Sequence, residues 1–308
     1  MRISSIDIGT NTIRLLICEQ TGEGALKKLY IDRVITRLGE GFSDDKALLN
    51  PKAVDRSLAA LKDFSKIIRE HNVNNVRAVA TSVVRKAKNS LEFVKRVKDE
   101  TGIRVEVISG AQEAELAVAG VLNAVSIDTE HCVIFDIGGG STEYIYVQNG
   151  EIIELVSINL GVVHLSEEFL KEQTQSEKEI AGLSLKIRET LDKELRGFEI
   201  KPEGKLSLVA TAGTPTTLAA IELGLSEYKP ELVNNFMLTK EMIASILENL
   251  IKIPTKDRAN VIGLERGRED IIIPGTLILL ETLKKFSSTR VIVSDGGVLE
   301  GIARSLIN

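Results

Sequence analysis

Apolar and polar positions change period along the chain, and the changes mark out its elements. Two short apolar runs, residues 3–8 and 12–18, flank a polar turn and predict a hairpin. Residues 25–37 predict a third strand. Residues 51–70 switch to helical spacing, with Leu58, Leu61, Phe64 and Ile68 on one stripe and Pro51 suited to the first turn. Strands at 76–81 and 104–108 alternate with helices at 90–101 and 111–124, and Gly102 suits a helix end. The order βββαβαβα predicts a mixed sheet covered by helices.

The second half repeats the plan. Strands are predicted at 132–136, 144–147, 152–159, 206–211 and 290–295. Helices are predicted near 162–172, 177–195, 213–220, 254–264 and 269–286, with a break in the last near Pro274 and Gly275; residues 237–251 predict a strand end and then a helix, residues 82–87 a loop, and a final helix runs from Gly297 to Ile307. The expected division is a first domain of residues 1–124, completed by 297–308, and a second of 125–296.

The hairpin turns carry the chemistry. Residues 132–146 read CVIFDIGGGSTEYIY: an apolar strand, Asp136, a turn through Gly138, Gly139, Gly140, Ser141 and Thr142, then Glu143 and a second strand. Glycines let a ligand approach the backbone, and successive N–H groups with hydroxyls beside them make a concave anion site. Asp136 stands where it can hold Mg2+. An ordinary glycine-rich hairpin is the plainer reading. Against it stands an echo: residues 3–18, ISSIDIGTNTIRLLIC, again run from a strand into Asp7 and Gly9, then Thr10, Asn11 and Thr12, then a strand carrying Arg14. The two Asp-Ile-Gly turns lie 129 residues apart. This suggests duplicated domains facing each other across a cleft and gripping an extended phosphate chain.

Composition narrows the class. Hydrophobic residues make up 43% and charged residues 27% of the 308, the balance of a globular protein with a sizeable core. A net charge of −5 gives no general attraction to nucleic acid or acidic membranes, so a polyanionic substrate needs local cations. No apolar run is long enough to predict a membrane span. The N-terminal residues run directly into a strand with no leader pattern. Cys18 and Cys132 lie in apolar runs and read as buried free thiols, which with the missing leader predicts a cytoplasmic protein. His71, His131 and His164 are scattered and form no metal motif. The oligomeric state stays open, a homodimer included.

DIGTNTIRL (residues 7–15) and DIGGGSTE (136–143) resemble the phosphate loops of the exopolyphosphatase / guanosine pentaphosphate phosphatase family, in the actin–sugar kinase–chaperone ATPase superfamily. ATSVVRKA (80–87) is similar to its arginine loop and ISGAQEAELA (108–117) to its catalytic-glutamate segment. TAGTPTTLAA, GRED…PG and VSDGGVLEGI are similar to its later signatures. The resemblance departs at His164 and near Leu299, where the family commonly carries arginine, and longer members have further C-terminal helical domains.

The resemblance implies an α/β protein of two actin-like (ribonuclease H-like) domains with mixed sheets flanked by helices and a cleft between them. It implies hydrolysis of a terminal phosphoanhydride of polyphosphate or guanosine pentaphosphate, with Mg2+. Glu113 takes the general-base role; Gly9, Thr10, Asn11, Thr12, Arg14, Arg85, Gly138, Gly139, Gly140, Ser141 and Thr142 bind phosphate. Asp136 and Glu143 hold the metal, and Asp7 either mirrors them or only pins its turn. The alternative for Arg14 and Arg85 is a solvated charge, and from the residues alone Glu113, like Gln112 and Glu115, reads as a first-turn residue complementing its helix. Two other functions compete. One is an ATP-dependent kinase or ATPase, since residues 213–220 resemble a nucleotide-side turn; the other is a non-catalytic binder of the same polyanion.

Overall fold

The structure is a computed structural model that describes residues 1–22, 25–43, 45–127, 130–198, 200 and 206–307. The chain divides into two compact units, Met1–Gly120 with Gly297–Asn308, and Val121–Gly296. The division falls inside a helix, four residues before the position expected after Ala124. Each unit is built on a mixed sheet with helices against it.

The first unit opens with an antiparallel meander, β1 (Arg2–Ile8), β2 (Thr12–Gln20) and β3 (Leu26–Ile35). Helix α1 (Pro51–Glu70) then leads to β4 (Asn75–Ala80), α2 (Ser82–Lys86), α3 (Ser90–Thr101), β5 (Val105–Val107) and α4 (Gly110–Ala124). The sheet order is β3-β2-β1-β4-β5, with β1, β4 and β5 parallel. Asn50 caps α1 by accepting from the Lys52 amide at 3.0 Å. Leu58, Leu61, Phe64 and Ile68 are buried along it, so tertiary burial of this stripe holds the helix. Gly102 ends α3 at φ 77°, a left-handed conformation glycine adopts without penalty.

The second unit repeats the meander as β6 (His131–Ile137), β7 (Thr142–Gln148) and β8 (Glu151–Ile158). It continues with α5 (Val162–Phe169), α6 (Glu177–Glu194), β9 (Ser207–Thr211), α7 (Gly213–Glu222), α8 (Pro230–Val233), β10 (Met237–Thr239), α9 (Lys240–Lys252), α10 (Ile272–Lys285) and β11 (Arg290–Val293). The sheet order is β10-β11-β9-β6-β7-β8, with β6, β9 and β11 parallel. The chain then re-enters the first unit as α11 (Val298–Arg304), whose Leu299 and Ala303 pack with Ile3, Leu16 and Cys18.

The duplication is closer than the sequence pattern suggests. Both meanders carry an irregularity in their second pairing, after Ile17 in one and after Tyr146 in the other, again 129 residues apart. A bulge at the same place bends both meanders alike.

Four expectations change. The segment 82–87 is a short helix, not a loop. The helix expected over 254–264 is only a 3-10 segment, Thr255–Asn260. The strand–helix pair expected at 237–251 is preceded by α8, which no pattern marked. Helix α10 is not interrupted: Pro274 lies in its first turn, where its missing N–H has no intrahelical partner to lose. Gly275 is needed there, because a Cβ would stand 2.2 Å from Thr214 Oγ1 of α7.

Candidate active site

The two Asp-Ile-Gly turns close by the same bond. Gly9 N donates to Thr12 O at 3.0 Å, and Gly138 N donates to Ser141 O at 2.9 Å. Both amides are therefore used inside the turn and do not face a ligand, which corrects the expectation that every amide of the two loops binds phosphate. A Cβ on Gly138 would stand 2.9 Å from Ser141 O, so the tight turn requires glycine.

Other amides are turned outward. Gly138 O and Gly139 O accept from the Val162 and Val163 amides at the start of α5, at 3.1 and 3.0 Å. In a trans peptide the N–H points opposite to the carbonyl. The N–H groups of Gly139 and Gly140 are thus directed away from α5, as an anion cradle requires. Gly161, before α5, permits this packing, since its Cβ would stand 2.3 Å from Gly139 O. In the first unit Gly39 N donates to Thr10 O at 2.8 Å, which turns the Asn11 amide away from residues 36–39. Asn11 Oδ1 is buried and has no hydrogen-bond partner among the described residues. The Thr142 hydroxyl, by contrast, is taken by Leu160 O at 2.6 Å. Thr10 and Ser141 are both buried within their turns, and Thr12 Oγ1 accepts from Asn11 Nδ2 at 3.4 Å.

Beside each turn lies one rung of polar side chains, and the two rungs differ in charge. In the first unit Asp7 faces Arg14 across β1 and β2, and Arg14 faces Arg33 across β2 and β3. Arg14 grips Asp7 Oδ2 through Nε at 3.0 Å and Nη2 at 2.6 Å. In the second unit the equivalent row is Asp136, Glu143 and Ser157, with Thr211 of β9 on the other side of Asp136. Here the partner seven residues after the aspartate is a second carboxylate. Cross-strand neighbours stand about 5 Å apart at Cβ, and like charges there repel unless a cation lies between them. Asp136 and Glu143 thus suit a divalent cation, whereas Asp7 serves as the counter-ion of Arg14.

The parallel strands β1, β4 and β5 end on one edge of the first sheet, so the turn after β1, Arg85 after β4 and Glu113 after β5 share that edge. Arg85 Nη1 donates to Glu113 Oε2 at 3.0 Å and to Ile108 O at 2.9 Å. Glu113 lies in the first turn of α4, which Ser109 and Gln112 cap reciprocally: Ser109 N reaches Gln112 Oε1 at 3.0 Å and Gln112 N reaches Ser109 Oγ at 3.2 Å. That explains Gln112 without chemistry. Leu299 is buried among core residues, a position with no room for a solvated cation. His164 lies half-buried in α5.

Among the described residues no cluster of three or more His, Cys, Asp or Glu side chains forms a metal site. Two carboxylates suffice for Mg2+ when phosphate oxygens and waters complete its shell. No helix among the described residues is long and apolar enough to cross a membrane. At residue 213 the Arg268 guanidinium occupies the space where a side chain would begin, and Arg268 Nε donates to Glu265 Oε2 at 2.6 Å. Sequence reasoning missed Gly161 and Ser157; LGVV and SIN carry no signal of their own, and only the pairing of strands reveals them.

Comparison with known proteins places this architecture. A bifunctional 3-dehydroquinate synthase/phosphatase of Fusobacterium nucleatum is 35% identical over 97% of this chain, which spans 46% of that protein's length. Exopolyphosphatase 2 of Mycobacterium tuberculosis is 31% identical over 99% of this chain and 98% of its own. Among solved structures, a Ppx/GppA family member from Aquifex aeolicus superposes with a TM-score of 0.81 at 35% identity, covering 99% of this chain and 97% of that one. An exopolyphosphatase from Cytophaga hutchinsonii superposes with a TM-score of 0.89 at 29% identity, covering 100% and 98%. The sequence model of the Ppx/GppA phosphatase family matches residues 17–308. With two actin-like units, paired Asp-Ile-Gly turns and this match, the chain belongs to the Ppx/GppA phosphatase family.

Proposed function

We propose that this protein hydrolyses the terminal phosphoanhydride of inorganic polyphosphate, with guanosine pentaphosphate as a second substrate of the same chemistry, in a Mg2+-dependent reaction. The observation that carries the reading is the Arg85–Glu113 pair on the same sheet edge as the Gly9 turn. It supplies a carboxylate base and a guanidinium beside an outward-facing amide. The names of the M. tuberculosis and C. hutchinsonii relatives support polyphosphate.

In this mechanism Glu113 accepts a proton from the attacking water. The water oxygen bonds to the terminal phosphorus as the bond to the bridging oxygen breaks. Arg85 orients Glu113 and steadies charge on the equatorial oxygens. In the first unit the outward amide of Asn11, with Arg14 held by Asp7 beside it, is the anion-binding group; in the second unit the outward amides of Gly139 and Gly140 are. Asp136 and Glu143 would hold Mg2+, which neutralises charge on the phosphates when bound.

The test is a side-by-side phosphate-release assay on long polyphosphate, short polyphosphate, guanosine pentaphosphate and ATP, with Mg2+ and with a chelator. Release from polyphosphate that stops on chelation is expected. Release from ATP alone, or tight binding of polyphosphate without release, overturns the reading.

A further inference from the structure

The rung of the second unit holds a residue that the proposed mechanism does not use. Ser157 of β8 is the direct cross-strand neighbour of Glu143, and its Oγ donates to Glu143 Oε1 at 2.7 Å. Glu143 is 2% exposed, while Ser157 lies on the exposed edge strand. The row therefore runs from a solvent-side hydroxyl through a buried carboxylate to Asp136.

We propose that Ser157 is a positioning residue that fixes the Glu143 carboxylate for a divalent cation shared with Asp136; this rests on the hydrolase reading and its metal. A glutamate on a strand can rotate about three side-chain torsions, and the terminal one is broad. A hydroxyl donor on one carboxylate oxygen narrows that rotation and sets the direction of the other oxygen. The donor is neutral, so it orients Glu143 without cancelling the charge that attracts the cation. The first unit shows the contrast. There the residue seven after the aspartate is Arg14, which bonds Asp7 directly and consumes its charge. Hydrogen bonds to metal-bound carboxylates typically sustain about 10–100-fold in metal affinity.

The experiment uses the full chain with Ser157→Ala, Ser157→Thr and Ser157→Lys. Position 157 is on an edge strand and exposed, where polar and charged residues are tolerated. Mn2+ binding is measured by calorimetry in the presence of tripolyphosphate, and phosphate release is measured against Mg2+ concentration. Ser157→Ala is expected to weaken Mn2+ binding about 10-fold and raise the half-maximal Mg2+ concentration equally. Its maximal rate at saturating Mg2+ should stay within about twofold, since no reacting atom is touched. Ser157→Thr should restore affinity, and Ser157→Lys should remove metal binding by placing a cation beside Glu143. Unchanged Mn2+ affinity in Ser157→Ala, with a metal-dependent wild type, overturns this inference and leaves the hydrolase reading intact. A wild type that binds no Mn2+ and turns over in chelator overturns the metal assignment and this inference with it.

Discussion

Arg85 donates to Glu113 across 3.0 Å, joining the residue after β4 to the first turn of the helix after β5. The same nitrogen also holds Ile108 O, so the guanidinium is anchored to the backbone that launches α4. The pair and the backbone beneath it are thus tied together, which is the fixed geometry that the proposed base role of Glu113 requires.

Glu113→Gln should lower turnover about 10²–10⁴-fold, the usual contribution of a positioned base. Polyphosphate binding should change little, because glutamine keeps the shape and an acceptor for Arg85. Stopped-time phosphate release and filter binding check both halves. Turnover near wild type removes Glu113 from the base role.

Arg85→Ala is expected to raise KM and lower kcat together. It removes a phosphate contact and releases Glu113 at once. Arg85→Lys should recover binding more than rate, because a single ammonium cannot reproduce the fork that spans Glu113 and Ile108. Steady-state kinetics decide it; an unchanged KM and kcat in Arg85→Ala places the arginine outside the site.

Gly161→Ala should disrupt the cradle without touching substrate. Its Cβ would meet Gly139 O at 2.3 Å and Gly140 carbon at 2.4 Å, so the turn must shift. Turnover is expected to drop at least 10-fold, matching the loss of fixed donors. Gly182→Ala is the control: it lies in α6 with nothing within 4 Å and should gain up to about 1 kcal/mol from helix propensity, at full activity.

The fold is also testable through its thiols. Burial pushes Cys132 up to about 12 and Cys18 to about 11, the latter against the opposing pull of Lys28. A raised thiol pKa favours the neutral form in the folded state. That stability is present below the ordinary thiol value near 8.5 and fades as pH rises through the shifted values. At pH 8 the native protein should show no rapid reaction with a disulfide reagent, and two equivalents should react after denaturation. A fast native thiol would mean that a strand carrying it is open.

Glu281 sets an acid limit. Burial alone would raise its carboxyl, but bonds from Lys284, Arg188 and Ser184 bring it below the ordinary value. Its stabilisation is therefore present above the unfolded value near 4.3 and is lost as pH falls through the lower folded one. Glu281→Gln should flatten the acid side of the melting profile and cost about 1–3 kcal/mol at neutral pH, as a charged hydrogen-bonded group is lost. A melting temperature unaffected at both pH values would rule out this role.

Much of this was legible in the sequence for a physical reason. Strand, turn and strand are local, so DIGTNTI and DIGGGST announce both hairpins, and the spacing of 129 residues announces their repetition. Which amides face outward was not legible. That depends on carbonyl bonds from Gly39, Val162 and Val163, which reach the turns from elsewhere in the chain. The spacing of Asp7 and Arg14 was visible, but their ion pair follows from the hairpin register. Ser157 was invisible for the same reason: a lone serine acquires meaning only from the strand beside it. Pro274 misled because proline forbids a helix interior yet is harmless in a first turn.

The packing of α11 on β1 and β2 bears on how the protein is made. The second unit is continuous in sequence, from Val121 to Gly296, so all of its residues have been made before α11 begins. The first unit emerges earlier but lacks the helix that covers Ile3, Leu16 and Cys18 until residues 298–304 have left the exit tunnel. The domain that is born first is the last to be finished, and in the interval Ile3, Leu16 and Cys18 lack their cover.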